Sequence, residues 1–415
     1  MRLSIIIPSR DRIVYLKETI KTALAIDSAD IEIIVSDNAS EDQTQHVLSD
    51  IKDIRFRYIN TENRVSMRAN FEFALKHSTG DYIMFIGDDD GVLPKQIPLL
   101  KLILSKHMPD VLRWPTIKYG WPELNNAKTG GVRINKDMVY GTPFEINSKL
   151  FSNEVLDCDL RNEKYFPGIY HGVVSRAYIN KLKTEDGQFF NCTIPDVFFN
   201  YQALFSGGKH MYCPHPFSIN GYSPSSNGGA QKKLAYSKTI SPIALQFMAE
   251  NKKDRNLDIA DFGASISAVF FLSLETARVY SKIDTSNVNY YKWFIYLLQN
   301  IDKMNSDIKS DLVNSLKFYA KEINQLDILE ELLATPKQRG KKFLKFKQKL
   351  GENINKIGSI RFSCEKNNKN NIYTASQVCD YIISGDLSSE NSSFLLHKVE
   401  WKGLKRRYKK ILKLI

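Results

Sequence analysis

Residues 81–94 read DYIMFIGDDDGVLP. The apolar run Tyr82–Ile86 has the length of a buried strand, and the carboxylates Asp88, Asp89 and Asp90 cannot continue inside a sheet. They therefore sit where the strand emerges, at the edge where open α/β sheets take their ligands. Carboxylates crowded at one strand end repel each other unless a cation neutralises them. Oxygen-only ligands select a hard ion, Mg2+ or Mn2+, of the kind that bridges to substrate phosphates. An acidic turn capping the next helix is the simpler alternative, but one cap needs one acid, not three.

Working outward from this strand, the upstream chain alternates strands and helices. Residues 3–7 predict a strand that stops at Pro8, and 13–25 a helix with Leu16, Ile20, Ala23 and Leu24 on one face. Residues 31–36 predict a second strand, after which Ser40 caps a helix with Gln43 three residues on. A third strand over 55–59 and a helix over 66–77 complete βαβ units of a parallel sheet. Downstream, 95–107 reads as a helix, 111–114 as a strand, 115–165 as hairpins and loops, 168–175 as a core strand and 196–205 as a helix. The polar stretch 223–233 reads as a loop or boundary. From about 234 to 334 apolar residues recur at helical spacing, and Pro336 ends that pattern. Three parts are expected: 1–232, a helical 233–334, and a basic 335–415.

The net charge of +12 is concentrated in the last part. Residues 335–415 hold 19 Lys and Arg against 6 Asp and Glu, which leaves 39 basic and 40 acidic groups in the first 334 residues. That distribution argues against a nucleic-acid-binding core and for a tail with its own anionic partner. No run of about 18 apolar residues is present to span a membrane. The N-terminus lacks the apolar stretch of a signal peptide, and five scattered cysteines suit a reducing cytoplasm.

The order SIIIPSRDR, IIVSDNASEDQT, NRVSMRANFEFAL and GDYIMFIGDDDGVLP resembles the family-2 glycosyltransferases of GT-A fold, over roughly residues 1–225. The resemblance implies a Rossmann-like α/β domain, followed here by the helical region and the basic segment. It also implies metal-dependent, inverting transfer of a sugar from a nucleotide-sugar to an acceptor hydroxyl. Asp88–Asp90 match the family's DXD motif, with Asp88 and Asp90 favoured as ligands of Mn2+ or Mg2+, Asp89 close behind, and Asp88 and Asp89 also near the nucleotide. Asp37 matches the position that hydrogen-bonds the base, which favours a uridine donor; a turn-forming Asx residue is the alternative. Pro8, Arg10 and Asp11 fall where the family places base and ribose contacts. Arg68 and Asn70 match a helix start that puts a basic residue near the nucleotide, although Arg68 can instead pair with Glu72 one turn on.

An inverting transfer needs a carboxylate opposite the leaving group to take the acceptor's proton. Asp196, just after Pro195 at a helix start, has the shape of the family's base, with Asp186 and Glu185 as runners-up. His215 falls where some relatives place a third metal ligand or a phosphate contact, with a plain loop residue as the alternative, and Tyr222, Ser223, Ser225 and Ser226 are expected to touch the diphosphate when the following Gly-rich loop closes.

Residues 401–415, WKGLKRRYKKILKLI, set an apolar stripe against seven basic residues, the composition of a helix in an anionic membrane interface; a C-terminal helix packing that stripe on the helical domain, with solvated lysines, is the alternative. With that tail the expected location is the cytoplasm, peripheral on the inner face of the cell membrane, and the expected acceptor a glycan or polyprenyl-linked glycan of bacterial surface polysaccharide synthesis. Two rival readings stand beside this one. A sugar-1-phosphate nucleotidyltransferase needs a glycine-rich loop after the first strand, which PSRDR lacks. A non-catalytic nucleotide-sugar-binding module could keep the fold without the chemistry.

Overall fold

The computed structural model describes residues 1–124, 129–135, 138–225, 242–254, 266–302, 304, 306–335, 359–366 and 368–384. The chain opens with β1 (Leu3–Ser9), α1 (Ile13–Leu24), β2 (Ile31–Asp37), α2 (Thr44–Leu48), β3 (Phe56–Asn60), α3 (Met67–His77) and β4 (Tyr82–Phe85). There follow β5 (Gly91–Val92), α4 (Ile97–His107), β6 (Val111–Arg113), β7 (Ile117–Gly120), β8 (Gly131–Asn135), β9 (Phe144–Glu145) and α5 (Ser148–Leu156). Next come β10 (Gly172–Ser175), α6 (Arg176–Leu182), α7 (Pro195–Ser206), β11 (His210–Tyr212) and β12 (Ser218–Tyr222). The last described elements are α8 (Pro242–Lys253), α9 (Ile266–Tyr280), α10 (Tyr290–Ile301), α11 (Ser306–Glu322), α12 (Leu326–Ala334), β13 (Ser359–Ser363) and α13 (Ile372–Ser384).

The main sheet runs β3-β2-β1-β4-β10-β6-β11-β9. Its first four strands are parallel, as the βαβ reading predicts, and β10 enters antiparallel to both β4 and β6. Both faces of these strands are covered, so their side chains alternate between two apolar cores rather than between core and solvent. In β1, Leu3, Ile5 and Ile7 enter one core and Ile6 the other; in β4, Tyr82 and Met84 oppose Ile83 and Phe85 in the same way. A smaller sheet, β13-β8-β7-β12-β5, adjoins the acidic turn. The strand order reverses between β1 and β4, and their C-terminal ends bound the crevice where such sheets bind ligands.

Three features differ from the sequence reading. Residues 115–165 contain a helix, α5, started by Asn147 Oδ1 accepting from Leu150 N at 3.0 Å. Helix α2 begins at Thr44 rather than after Ser40, whose hydroxyl is engaged by Asp37. The region beyond 335 returns to the first domain: β13 pairs with β8, and α13 packs on α1. Phe362, Ile372, Val378 and Ile383 join the same core as Leu3 and Ile33.

The helices α9–α12 build a separate core with α5 and α7, in which Phe271, Trp293 and Leu329 meet Val155, Phe198 and Tyr201. Buried Glu275 is satisfied within that core by Tyr319 at 2.6 Å and Arg278 at 3.0 Å. Among the described residues no helix is long and apolar enough to cross a membrane.

Candidate active site

The acidic turn after β4 is tied to the end of β1. Asp88 Oδ2 accepts from Ser9 Oγ at 2.7 Å, and Asp88 Oδ1 lies 2.6 Å from Arg12 Nη1. Arg12 Nη2 reaches Asp89 Oδ2 at 2.8 Å, and the Ser223 hydroxyl donates to the same oxygen at 2.6 Å. Backbone groups lock the turn: Thr19 Oγ1 donates to the carbonyls of Asp88 and Asp90, and Trp121 Nε1 to that of Asp89. Gly221 runs so close that an added Cβ would stand 1.8 Å from Asp89 O. That contact explains why a residue without a side chain holds the position.

Asp90 turns the other way. Its Oδ1 accepts from Gly221 N at 2.7 Å, and its Oδ2 from Gly87 N at 2.6 Å and from the Tyr170 hydroxyl. His171 Nε2 stands 3.2 Å from Oδ2. Electrostatics follow this division. Burial lifts Asp88 to about 6 against the pull of Arg12, and raises Asp89 likewise. Burial also pushes on Asp90, but His171 and the hydrogen bonds prevail and hold it below the usual carboxylate range. Burial lowers the Arg12 pKa, yet Asp88 and Asp89 outweigh it and raise the group further.

Asp196 sits in the first turn of α7, partly exposed. Burial raises its pKa, and the charges of Arg113 and His171 pull the other way. Its own charge also raises Tyr170. Tyr170 and His171 thus feel both Asp90 and Asp196, which brings the acidic turn and the expected base into one electrostatic neighbourhood. His171 holds a left-handed backbone, φ 52°, while nearly fully buried. Strained non-glycine residues of this kind gather at functional sites. Asp186 and Glu185 lie instead on an exposed turn, where Asp186 is engaged by Thr184 and Gln188.

The remaining sequence candidates are distributed as follows. Asp37 is 1% exposed, and its carboxylate accepts from Tyr58 OH at 2.6 Å, from Asn60 Nδ2 at 3.1 Å and from Ser40. Ser40 and Asn60, rather than Asp37, line the adjoining cleft of about 610 Å3, with Glu41, Asn63 and Arg64. Pro8 lies within β1, paired in register with Ser36. Asp11 accepts from Glu41 N at 2.6 Å and from Arg64 at 2.9 Å. Arg10 is paired with Glu250 of α8. Arg68 is 3% exposed and pairs with Asp254, not with Glu72, which instead accepts from the amides of Phe189 and Phe190. Asn70, on α3, bonds Ser36 of β2.

His215 is a correction. It is fully buried, its Nδ1 accepts from Tyr140 N at 3.1 Å, its Nε2 meets Gln96 Oε1 at 3.1 Å, and its ring stacks on Tyr140. Both nitrogens are used inside the core, and burial pushes its pKa down to about 3. The expected ligand set of Asp88, Asp89, Asp90 and His215 is not assembled: among the described residues no three His, Cys, Asp or Glu side chains gather into a metal-holding group. What remains is Asp88 with Asp89. Their oxygens are engaged by Ser9, Arg12 and Ser223, and an ion there would have to displace Arg12 and draw its other ligands from phosphate and water. Ser226 and residues 337–350 and 401–415 lie outside the described residues.

Sequence reasoning missed Ser9, Arg12, Tyr170 and His171. PSRDR offers two arginines, and only the geometry of the β1–α1 turn selects Arg12 for the acids. A Tyr-His pair inside the otherwise apolar GIYHGVVS was the available signal for the other two.

Residues 4–162 match the family described as Glycosyl transferase family 2. The chain is 35% identical over 95 residues to a GalNAc(5)-diNAcBac-PP-undecaprenol beta-1,3-glucosyltransferase of Campylobacter jejuni, covering 22% of this chain and 31% of that one. It is 33% identical over 140 residues to an uncharacterized glycosyltransferase of Rickettsia conorii, covering 32% and 22%. This chain therefore spans less than a third of the length of these relatives. Among solved structures, S. aureus TarS 1–349 in complex with UDP-GlcNAc aligns at a TM-score of 0.45 and 14% identity, over 81% of this chain and 92% of that one. The mannosyltransferase PcManGT of Pyrobaculum calidifontis, in complex with GDP-Man and Mn2+, aligns at 0.39 and 12%, over 80% and 86%. The acid-rich end of β4 and the end of β1 that faces it both lie inside the stretch, residues 4–162, that is similar to glycosyl transferase family 2.

Proposed function

We propose that this chain transfers a sugar from a nucleotide-sugar, with a uridine donor favoured, to a hydroxyl of a glycan or lipid-linked glycan, with inversion. The observation that carries the reading is the meeting of Ser9 and Arg12, at and just past the end of β1, with Asp88 and Asp89, just past the end of β4, across the strand-order reversal. The base would enter the cleft beside Ser40, Asn60 and Asn63, whose amides and hydroxyl suit a pyrimidine edge.

Asp88 and Asp89 are the residues that would hold Mg2+ or Mn2+, and such an ion supplies charge neutralisation at the departing diphosphate. Arg12 adds a permanent positive charge at the same place. Asp196 takes the proton from the acceptor hydroxyl as the oxygen attacks the anomeric carbon; the bond to the diphosphate breaks on the opposite face. Its raised pKa makes it a better proton acceptor once ionised.

The acceptor reading leans on the Campylobacter relative, whose name specifies an undecaprenol-linked substrate. The basic segment 401–415 would bring the enzyme to an anionic bilayer holding such an acceptor. A thermal-shift series with Mn2+ and UDP, GDP or CDP, followed by nucleotide release from the matching sugar donors, tests the proposal. Metal-dependent stabilisation by one nucleotide and turnover of its sugar is the expected result. No response to any nucleotide would leave a module that keeps the fold without the chemistry.

A further inference from the structure

Two arginines at the ligand-binding edge of the sheet are held by one stretch of chain. Glu250 in α8 binds Arg10, just past β1. Asp254, immediately after α8, binds Arg68 through both carboxylate oxygens, to Nε at 2.6 Å and Nη2 at 3.0 Å, and accepts from Ser66 Oγ. Ser66 is the N-cap of α3, so Asp254 lies at a helix N-terminus as well as on a guanidinium. The Arg68 and Asp254 side chains are only 4% and 5% exposed.

These are the partners an anion seeks. Carboxylate and phosphate oxygens both bind guanidinium in paired fashion, and both are favoured at helix N-termini. The docked position also carries a cost. Asn251, between the two acids, is 4% exposed, and among the described residues neither of its amide atoms has a partner. A buried amide in that state is destabilising, and undocking would return it to water.

We propose that α8 with Asp254 is an internal competitor for the donor: its two carboxylates occupy Arg10 and Arg68 until a nucleoside diphosphate takes their place. The inference rests on the donor reading above and adds a regulatory contact to it. A binding-competent state populated only part of the time weakens the apparent affinity by that fraction; a helix docked nine-tenths of the time costs about tenfold.

The test uses the full chain, titrated calorimetrically with UDP, GDP and CDP in the presence of Mg2+. Glu250→Gln frees Arg10, which is already partly exposed, so this variant is expected to fold; Glu250→Gln/Asp254→Asn releases both arginines. The expected result is about three- to tenfold tighter binding of the preferred nucleotide to the variants. Faster hydrogen exchange over residues 242–254 of the wild type when that nucleotide is bound is the second expected result. Equal or weaker binding by Glu250→Gln, with exchange over 242–254 unchanged by nucleotide, overturns the competitor. Absence of binding to wild type and variants alike overturns the donor reading itself, and the competitor with it.

Discussion

Arg12 stands 2.6 Å from Asp88 and, through its other terminal nitrogen, 2.8 Å from Asp89, so one partly buried guanidinium is shared between two buried carboxylates. Removing one member of such a cluster costs more than the cluster contributes, because the remaining charges stay desolvated. Arg12→Gln should lose about 3–5 kcal/mol of stability in metal-free buffer. Urea unfolding with and without Mg2+ checks this. Partial recovery with Mg2+ is expected if Asp88 and Asp89 then take the ion instead, and no recovery would argue against that pair as an ion site.

Asp196 must be ionised to accept a proton. Burial raises its pKa, so turnover should climb with pH across a limb displaced above the ordinary carboxylate range. Asp196→Asn should remove this limb, lower kcat by about 10²- to 10⁴-fold and spare nucleotide binding. Transfer surviving at more than a small fraction of the wild-type rate would assign the base to another residue.

His215 makes the opposite test. Its ring holds Tyr140 and Gln96 together inside the core. His215→Gln should therefore cost about 1–3 kcal/mol of stability and leave the Mn2+ dependence of donor turnover unchanged. A shifted metal requirement would restore it as a ligand.

Asp380 on α13 accepts from Lys95 N at 3.0 Å and Gln96 Nε2 at 3.1 Å, and burial raises it to about 6. Because the folded state binds this proton more tightly than the unfolded state, its contribution is complete below about pH 4 and disappears as the pH rises through 6. Asp380→Asn should flatten that part of the stability curve by about 2 kcal/mol, as read from denaturation midpoints at pH 4.5 and 8.

Deleting residues 401–415 should release the protein from anionic liposomes and spare donor hydrolysis in solution. Co-sedimentation at low and high salt measures this, since the attraction of seven basic side chains is screened by salt. Liposome binding that survives the deletion would place the membrane contact elsewhere.

The parallel half of the sheet was legible because Leu3–Ile7, Ile31–Val35 and Tyr82–Ile86 are short apolar runs separated by helices of the right length. The acid turn was legible because three adjacent carboxylates have no place in a strand. Their division was not: Asp90 faces inward to Tyr170 and His171 because β10, more than 80 residues later, packs beside β4. His215 was misread for a related reason. A histidine beside prolines resembles a loop ligand until tertiary packing encloses it. The ion pairs of Arg10 and Arg68 span 240 and 186 residues, beyond the reach of any local pattern.

The hydrogen bonds from Ser376 to Val92 and from Asn371 to Glu18 join residues almost at opposite ends of the described chain. A ribosome releases the acid-bearing half long before α13 emerges, so the nascent domain waits with one flank of α1 uncovered. Expression clones cut after residue 334 for convenience would make that interval permanent and should yield aggregation-prone material, whatever the state of the carboxylates beside Arg12.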